Sequence, residues 1–544
     1  MMEVNNKGKV WIPVAMAGCI VVGLIVGNLI SQRSLIGSGN GLYMNKVNAL
    51  MSLIDAKYVD SINQKQMVED LLPKILGELD PHSVYISAED RAAANEQIEG
   101  SFSGIGVQFN IYDDTIRVVS VINGGPSAKV GLLAGDRIIK INGKSFVGKS
   151  ITSDMIMKIL RGVKGTKVKV TVLRSHKRKI YTYTITRDDI PLYSVDAKYK
   201  IGNDIGYIKI GNFGRLAHSE FLQAMVYLQK HKCTKFIVDL RGNPGGLMEP
   251  ALNIANEFLP ANRLILYTQG KAYSREDVYS TGKGSFQNVP VSILVDEWSA
   301  SSSEILAGAI QDNDRGYVIG RRSFGKGLVQ NEIPFRDGSA VRLTIARFYI
   351  PSGRCLQKPY KDGEDKNYQM DIVNRYMKGE FNSKDNIPVN DSLRFKTAGG
   401  RVVYGGGGII PDFFIPLDTT GMTSWYNKVS NAGLIYSFAY SYTDVHRDSM
   451  KIYNTPNKLS FYLDDQNLIP KFLEYAESKN YKGRLEFIEK SFPIILTQIK
   501  AYIARIILND DAFWEILQEE DLTLTKAVEV ITKSNNATVL DDHF

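Results

Sequence analysis

Three times between residues 235 and 330 an apolar, β-branched run leads straight into a polar or glycine-rich turn. Phe236-Ile237-Val238-Asp239-Leu240 meets Arg241-Gly242-Asn243-Pro244-Gly245-Gly246, and a helical pattern begins near Met248. Val291-Ser292-Ile293-Leu294-Val295 is followed by Ser299-Ala300-Ser301-Ser302-Ser303-Glu304 and a second helical stretch over 305–311. Tyr317-Val318-Ile319-Gly320 passes through Ser323-Phe324-Gly325-Lys326-Gly327 into Leu328-Val329-Gln330. Strands alternating with helices over 188–420 predict an α/β core, an open mixed sheet with helices. In such a sheet the turns at the carboxyl ends of the strands gather into one crevice. Helix N-termini there offer unpaired N–H groups and a positive dipole end, which suit an oxyanion.

Around that core the chain divides by pattern. A chain of 544 residues has room for three to four folding units at about 150 residues each. Residues 1–9 carry Lys7 and Lys9, and 10–30 are an uncharged apolar run, about the ~20 residues of a spanning helix. With the basic flank on its N-terminal side, the expectation is a signal-anchor. That gives a single-pass inner-membrane protein with its catalytic part in the periplasm. Residues 43–95 repeat apolar positions at helical spacing and stop at Asp80-Pro81-His82-Ser83. The stretch 96–187 holds short β runs cut by glycines, and 421–544 returns to helical periodicity. Within the α/β block, 357–407 is polar and aperiodic and reads as an insertion. A net charge of +8 spread along the chain gives no support for a nucleic-acid partner. Three scattered cysteines and six histidines show no disulfide framework and no zinc or metalloprotease spacing, so no metal or cofactor is expected. Oligomeric state is not written in the sequence, and a homo-oligomer is compatible with it.

The 96–187 block looks built to hold a peptide. Gly104-Ile105-Gly106-Val107 ahead of a strand is a glycine loop whose backbone N–H groups suit a carboxylate. Gly125-Pro126-Ser127-Ala128, then Gly135-Asp136-Arg137-Ile138-Ile139 and the hairpin turn Ile141-Asn142-Gly143, follow in order. The set resembles a PDZ domain, which implies binding of a C-terminal peptide through Gly104, Ile105, Gly106 and Val107. Arg161, in the helical stretch 154–162, is a candidate sensor of the bound tail, and more readily reads as a surface arginine.

His218 and His231 are the histidines of the α/β block, and neither lies in a strand-end turn. A serine nucleophile there needs another base, and a lysine serves if burial lowers its pKa from ~10.4. Lys326, between two glycines, is the candidate. Taken locally, Ser301-x-x-Glu304 is also a capping box and Lys326 also a solvated loop lysine.

Taken together, Leu79-Asp80-Pro81-His82-Ser83, the PDZ-like run, Asp239 to Gly246, Ser299 to Glu304, Gly325 to Gln330, Leu343 to Gly353 and Gly408-Ile409-Ile410-Pro411-Asp412 resemble the C-terminal processing peptidases. These tail-specific proteases are PDZ-containing serine proteases with a Ser–Lys dyad. The resemblance implies Ser301 as nucleophile, Lys326 as general base, and Gln330 as the residue holding the lysine. It also implies an oxyanion hole from the Ser302 amide and an amide of the Gly245-Gly246 pair. Protein substrates with exposed, apolar C-termini would be its partners, in the cell envelope if the anchor spans. Two departures stand out: Ser302 replaces the usual alanine, and Trp298 a common glycine. The alternatives are an inactive PDZ adaptor, and an acyltransferase of the penicillin-binding kind, since Ser323-x-x-Lys326 fits one of its motifs. The latter also needs a Lys-Thr-Gly, which Lys396-Thr397-Ala398-Gly399 misses.

Overall fold

The computed structural model describes residues 40–91, 96, 100–112, 115–122, 124–148, 151–174, 179–360 and 368–533. It divides into two compact units, the chain up to Glu78 and the chain from Leu79 on. In the first, two helices, Asn40–Lys57 and Gln64–Gly77, are separated at Asn63, whose side chain caps the second by accepting from the Gln66 amide at 3.1 Å.

At the centre of the second unit lies a six-stranded sheet. Its order is Val195–Ile201, Ile205–Ile210, Lys235–Asp239, Val291–Val295, Tyr317–Gly320, Phe413–Phe414; the first pair is antiparallel and the others are parallel. Both faces are covered, which is why these strands read as continuous apolar runs rather than alternating ones. Phe236, Val238, Ile293, Val295 and Val318 face the helices Ala217–Lys230, Met248–Phe258 and Ser302–Asp312. Ile237, Leu294 and Ile319 face the other way and pack with Leu524, Ala527, Val530 and Ile531 of the helix Leu522–Lys533. The last helix of the C-terminal region thus completes the core of the central sheet.

A second sheet runs Val84–Ile86, Ala340–Tyr349, Leu264–Gln269, Glu276–Tyr279, with Leu328–Pro334 also paired to Ala340–Tyr349. The PDZ module is a separate sheet, with Val107–Tyr112 as its edge strand, and the helix Ser153–Leu160 capped by Thr152. The region read as an aperiodic insertion holds the helix Asp371–Met377 and a small hairpin, Arg394–Lys396 with Val402–Tyr404.

One expectation is corrected. The apolar run 10–30 lies outside the described residues, and among the described residues no helix is long and apolar enough to cross a membrane. The longest, Asn40–Lys57, carries Lys46, Asp55 and Lys57, charges that are costly at bilayer depth. The most apolar helices of the C-terminal region spend their apolar faces on a protein core, as Ile495, Ile499 and Ile503 do. An N-terminal anchor and a single-pass inner-membrane location are therefore not supported.

Candidate active site

The three strand-end turns come together as the parallel sheet requires, and a fourth and fifth segment join them from elsewhere. Ser301 directly precedes the helix Ser302–Asp312 and has φ +56° and ψ −113°, a conformation that costs a non-glycine residue about 1–3 kcal/mol. Glu304, fully buried, holds it there. Its Oε2 accepts from the Ser301 amide at 2.9 Å and from the Lys326 amide at 2.8 Å. Its Oε1 accepts from the Ser323 hydroxyl at 2.5 Å and the Gly325 amide at 2.8 Å. Burial pushes the Glu304 carboxyl up, against the pull of these four donors. One carboxylate oxygen therefore ties the backbones of Ser301 and Lys326 to a common point. The same glutamate that reads as a helix cap in sequence joins two of the three turns.

The glycine turn packs onto the serine turn with no room to spare. A Cβ at Gly245, φ +100°, would lie 2.8 Å from the Ser301 Cβ and 3.1 Å from the Ser302 nitrogen. Asn243 locks the two together: its carbonyl accepts from the Ala300 amide at 3.0 Å and the Ser303 hydroxyl at 2.9 Å. The Gly245 amide is engaged by the Asn243 Oδ1 at 2.8 Å. Among the described residues no hydrogen bond occupies the amides of Gly246 and Ser302. The Ser302 hydroxyl, the departure noted above, donates to the carbonyls of Gly246 and Leu247 at 3.1 and 3.0 Å, stitching the glycine segment to the helix N-terminus. Trp298 is 55% exposed.

Lys326 lies beside Gln330, to whose Oε1 its Nζ donates at 3.0 Å. A register shift between Val329 and Gln330 interrupts the strand Leu328–Pro334 there, and such bulges re-aim a side chain. Gln330 in turn donates from Nε2 to the His82 carbonyl at 2.5 Å. Burial lowers the Lys326 pKa; the positive charge of Arg342 lowers it further, while Asp80 and Glu304 pull the other way.

His82 is the residue that inspection of the strand-end turns overlooks. It reaches the site on the turn Asp80–Ser83, held by Asp80, whose Oδ1 accepts from the His82 and Ser83 amides at 2.9 and 3.0 Å. Its ring Nε2 meets the Tyr368 hydroxyl at 2.9 Å. Burial first, then the charges of Lys326 and Lys358, lower the His82 pKa to about 4 against the opposing effect of Asp80. The only local signal was the Asx-turn chemistry of Asp-Pro-His-Ser. The polar 357–407 stretch also packs here. Gln357 Oε1 accepts from the Gly327 amide at 2.9 Å, and the Lys358 amide donates to the Gly325 carbonyl at 2.9 Å. Lys358 Nζ sits 3.8 Å over the Phe324 ring and 4.1 Å over that of Tyr368.

In the PDZ module, Gly104 ends the strand Ser101–Gly104 and Val107 begins the edge strand, with Ile105 and Gly106 between them. Ile105 and Gly106 carbonyls accept from the Ser127 and Ile122 amides, both at 3.0 Å. Arg161 caps the helix Ser153–Leu160, pairs with Glu96 at 2.5 Å and lies 4.5 Å over the Phe102 ring.

Similarity to known proteins follows the same division. The model of peptidase family S41 matches residues 204–364, that of the PDZ domain 103–184, and that of a family of unknown function (DUF8443) 425–509. The carboxy-terminal processing protease CtpA of Bacillus subtilis (strain 168) is 35% identical over 61% of this chain and 71% of its own length. CtpB of the same organism is 33% identical over 58% of this chain and 66% of its own, so this chain spans about two thirds of such relatives. A solved photosystem II D1 C-terminal processing protease is 25% identical over 56% of this chain and 82% of that one, with a TM-score of 0.33. The α/β core with its PDZ module makes the molecule a serine-type peptidase. More narrowly, the chain belongs to peptidase family S41, among the carboxy-terminal processing proteases.

Proposed function

We propose that this peptidase captures exposed, apolar protein C-termini on its PDZ module (96–187) and cleaves the protein in its peptidase domain (188–420) with Ser301 as nucleophile and Lys326 as base. The observation that carries the reading is the buried Glu304 carboxylate, which holds the Ser301 and Lys326 amides on one oxygen while burial lowers the lysine's pKa. A lysine whose charged form is disfavoured by burial, its backbone tied to that of a serine at a helix N-terminus, is a pairing that suits a histidine-free nucleophile.

The steps follow from the groups present. Neutral Lys326 Nζ, steadied by Gln330, takes the Ser301 proton as Oγ bonds to the scissile carbonyl carbon. The unengaged amides of Ser302 and Gly246 receive the oxyanion; Gly245 shapes the hole, since its own amide is taken by Asn243. The lysine then gives its proton to the departing amine as the C–N bond breaks, leaving an acyl-enzyme. Water attacks the ester with Lys326 again taking a proton, and Lys326 gives that proton to Ser301 Oγ as the C–O bond breaks, releasing the serine hydroxyl and the new C-terminal carboxyl group. At the PDZ module, the loop Gly104-Ile105-Gly106-Val107 receives the tail carboxylate and the edge strand Val107–Tyr112 takes the tail as an added strand. Arg161 packs beside that loop, its Cγ 3.9 Å from where a Cβ at Gly104 would lie, with its guanidinium paired to Glu96.

The test uses an unfolded model protein with an apolar tail and the same protein with a charged tail. Wild type should cleave the first faster, and Ser301→Ala and Lys326→Ala should cleave neither. Intact substrate with wild type, while tail peptide still binds, would leave only a PDZ adaptor.

A further inference from the structure

The C-terminal helical region touches both the PDZ module and the strand that leads into the glycine turn. At one end its helix Leu434–Met450 docks on the PDZ module. The Tyr440 hydroxyl donates to the Val118 carbonyl at 3.1 Å, and Arg447 Nη2 to the Ala134 carbonyl at 2.8 Å. Gly135, φ +113°, is required beneath it, since a Cβ there would lie 2.6 Å from the Tyr440 oxygen.

At the other end, the segment between the helices Asp510–Leu517 and Leu522–Lys533 bears on Asp239 and Arg241. Gln518 accepts from the Tyr199 hydroxyl at 2.5 Å and donates to the Tyr207 hydroxyl at 2.8 Å, which itself donates to Asp239 at 2.6 Å. Arg241 grips Asp239 with Nε at 3.0 Å and Nη2 at 2.7 Å, and its Nη1 is held by Asp521 at 2.6 Å. Asp239 and Gln518 are buried and have no water to exchange with, whereas the Arg241–Asp521 pair is partly exposed. Asn243, which locks the glycine turn to the serine turn, is two residues beyond Arg241.

Between the two ends runs one apolar core, joining Ile435, Phe438 and Tyr442 to Ile495, Ile499 and Ile503 and on to Phe513 and Ile516. Tyr502 bridges it, 5.2 Å from the Tyr436 ring and 5.4 Å from the Phe513 ring. A close-packed core of this kind transmits displacement rather than absorbing it.

We propose that the C-terminal extension is a strut that fixes the PDZ module with one helix and the segment leading to Gly246 with the turn between its last two described helices, making Gln518 and Asp521 positioning residues for peptide-bond cleavage. The inference rests on the Gly246 amide serving as an oxyanion donor. Asp521 touches no substrate; it acts through Arg241 and Asp239 on the turn that carries that amide.

The experiment uses the full chain and two substrates: the unfolded protein with an apolar tail, and a short fluorogenic peptide without one. Asp521→Asn should lower kcat about tenfold on both while KM and tail-peptide Kd stay within twofold. Asp521→Glu, which restores the carboxylate, should recover most of the loss. Gln518→Met, close in shape but without the hydrogen bonds, should repeat the kcat effect should Asp521→Asn fail to fold. At the other end, Tyr440→Phe with Arg447→Ala should leave kcat on the short peptide within twofold. It should cut the advantage of the tailed over the short substrate about fivefold, again with tail-peptide Kd unchanged. Wild-type kcat in both Asp521→Asn and Gln518→Met, or a loss that Asp521→Glu does not relieve, would overturn the strut. Ser301→Ala is run alongside: full activity there would remove the catalytic reading itself, an outcome neither tail variant produces.

Discussion

The turns that carry Ser301 and Lys326 and the shell that surrounds them are built from different kinds of sequence. The turns are local. Each is a few residues at the end of a short apolar strand, and its polar groups lie within ten residues of one another. The shell is assembled from residues 80–83, from Gln357, Lys358 and Tyr368, and from residues 518–521, far apart in the chain and without periodicity of their own. The difference teaches that reacting groups and the environment that tunes them are specified separately. A side chain's chemistry belongs to its own residue, whereas its pKa and its aim belong to whatever packs on it.

The sharpest break in that comparison replaces the proposed general base while leaving the shell alone. Lys326→Arg keeps length and charge but cannot be deprotonated near neutral pH, so cleavage of a tailed substrate should fall by about a thousandfold or more. Fluorophosphonate labelling of Ser301 should fall with it, whereas tail-peptide binding should not change. Residual turnover near wild type would mean that Lys326 is a structural lysine and that the base lies elsewhere in the shell.

Glu304→Gln tests the join between the two. The carboxylate accepts four hydrogen bonds, and an amide in its place turns one accepting oxygen into a donor facing donors. A fall in kcat of about a hundredfold is expected, with about 2–3 kcal/mol lost in urea unfolding.

The shell alone is reached through pH. Because burial lowers the Lys326 pKa, log kcat/KM should rise with pH and level off below the ordinary lysine value of 10.5. Gln330→Glu places a carboxylate against the ammonium, and should move that rising limb to higher pH by about one unit. An unmoved limb would assign it to another group.

His82 gives the smallest effect, on stability. Its folded pKa of about 4 lies below the ordinary 6.5, so the unfolded chain takes up the proton first as the medium is acidified. The contribution is complete above pH 6.5 and is lost as pH falls through about 4. His82→Gln should therefore flatten the stability profile across that window, by on the order of 1–3 kcal/mol at its acid end. Equal slopes for wild type and variant would place the imidazole in water.

The alternation of apolar runs with glycine turns was sufficient to read the α/β core and the PDZ module, because strand period and turn chemistry are local properties. Ser301 and Lys326 are legible locally only as candidates, a helix cap and a turn lysine, and the family resemblance is what proposes their roles and that of Gln330. What could not be read is where distant segments land. His82 lies well before the α/β block, yet its carbonyl holds Gln330 and its ring meets Tyr368. The stretch 357–407 looks like a loop because its residues are polar, and part of that polarity is used on the site, where the Gln357 and Arg375 side chains bond to the backbone of the Lys326 turn and its flank. The membrane expectation rested on residues 10–30, outside the described residues, and no helix among the described residues is long and apolar enough to span a membrane.

The amino-acid sequence by itself determined which side chains are candidates for the chemistry and which strands deliver them to one end of a sheet, because these depend on neighbours a few residues away. Only the tertiary structure decided that one buried carboxylate would hold serine and lysine together, that a distant histidine and a polar insertion would surround the lysine, and that the final helix would close the second face of the sheet. Those outcomes depend on desolvation and on contacts between segments hundreds of residues apart, and neither is written in any local pattern.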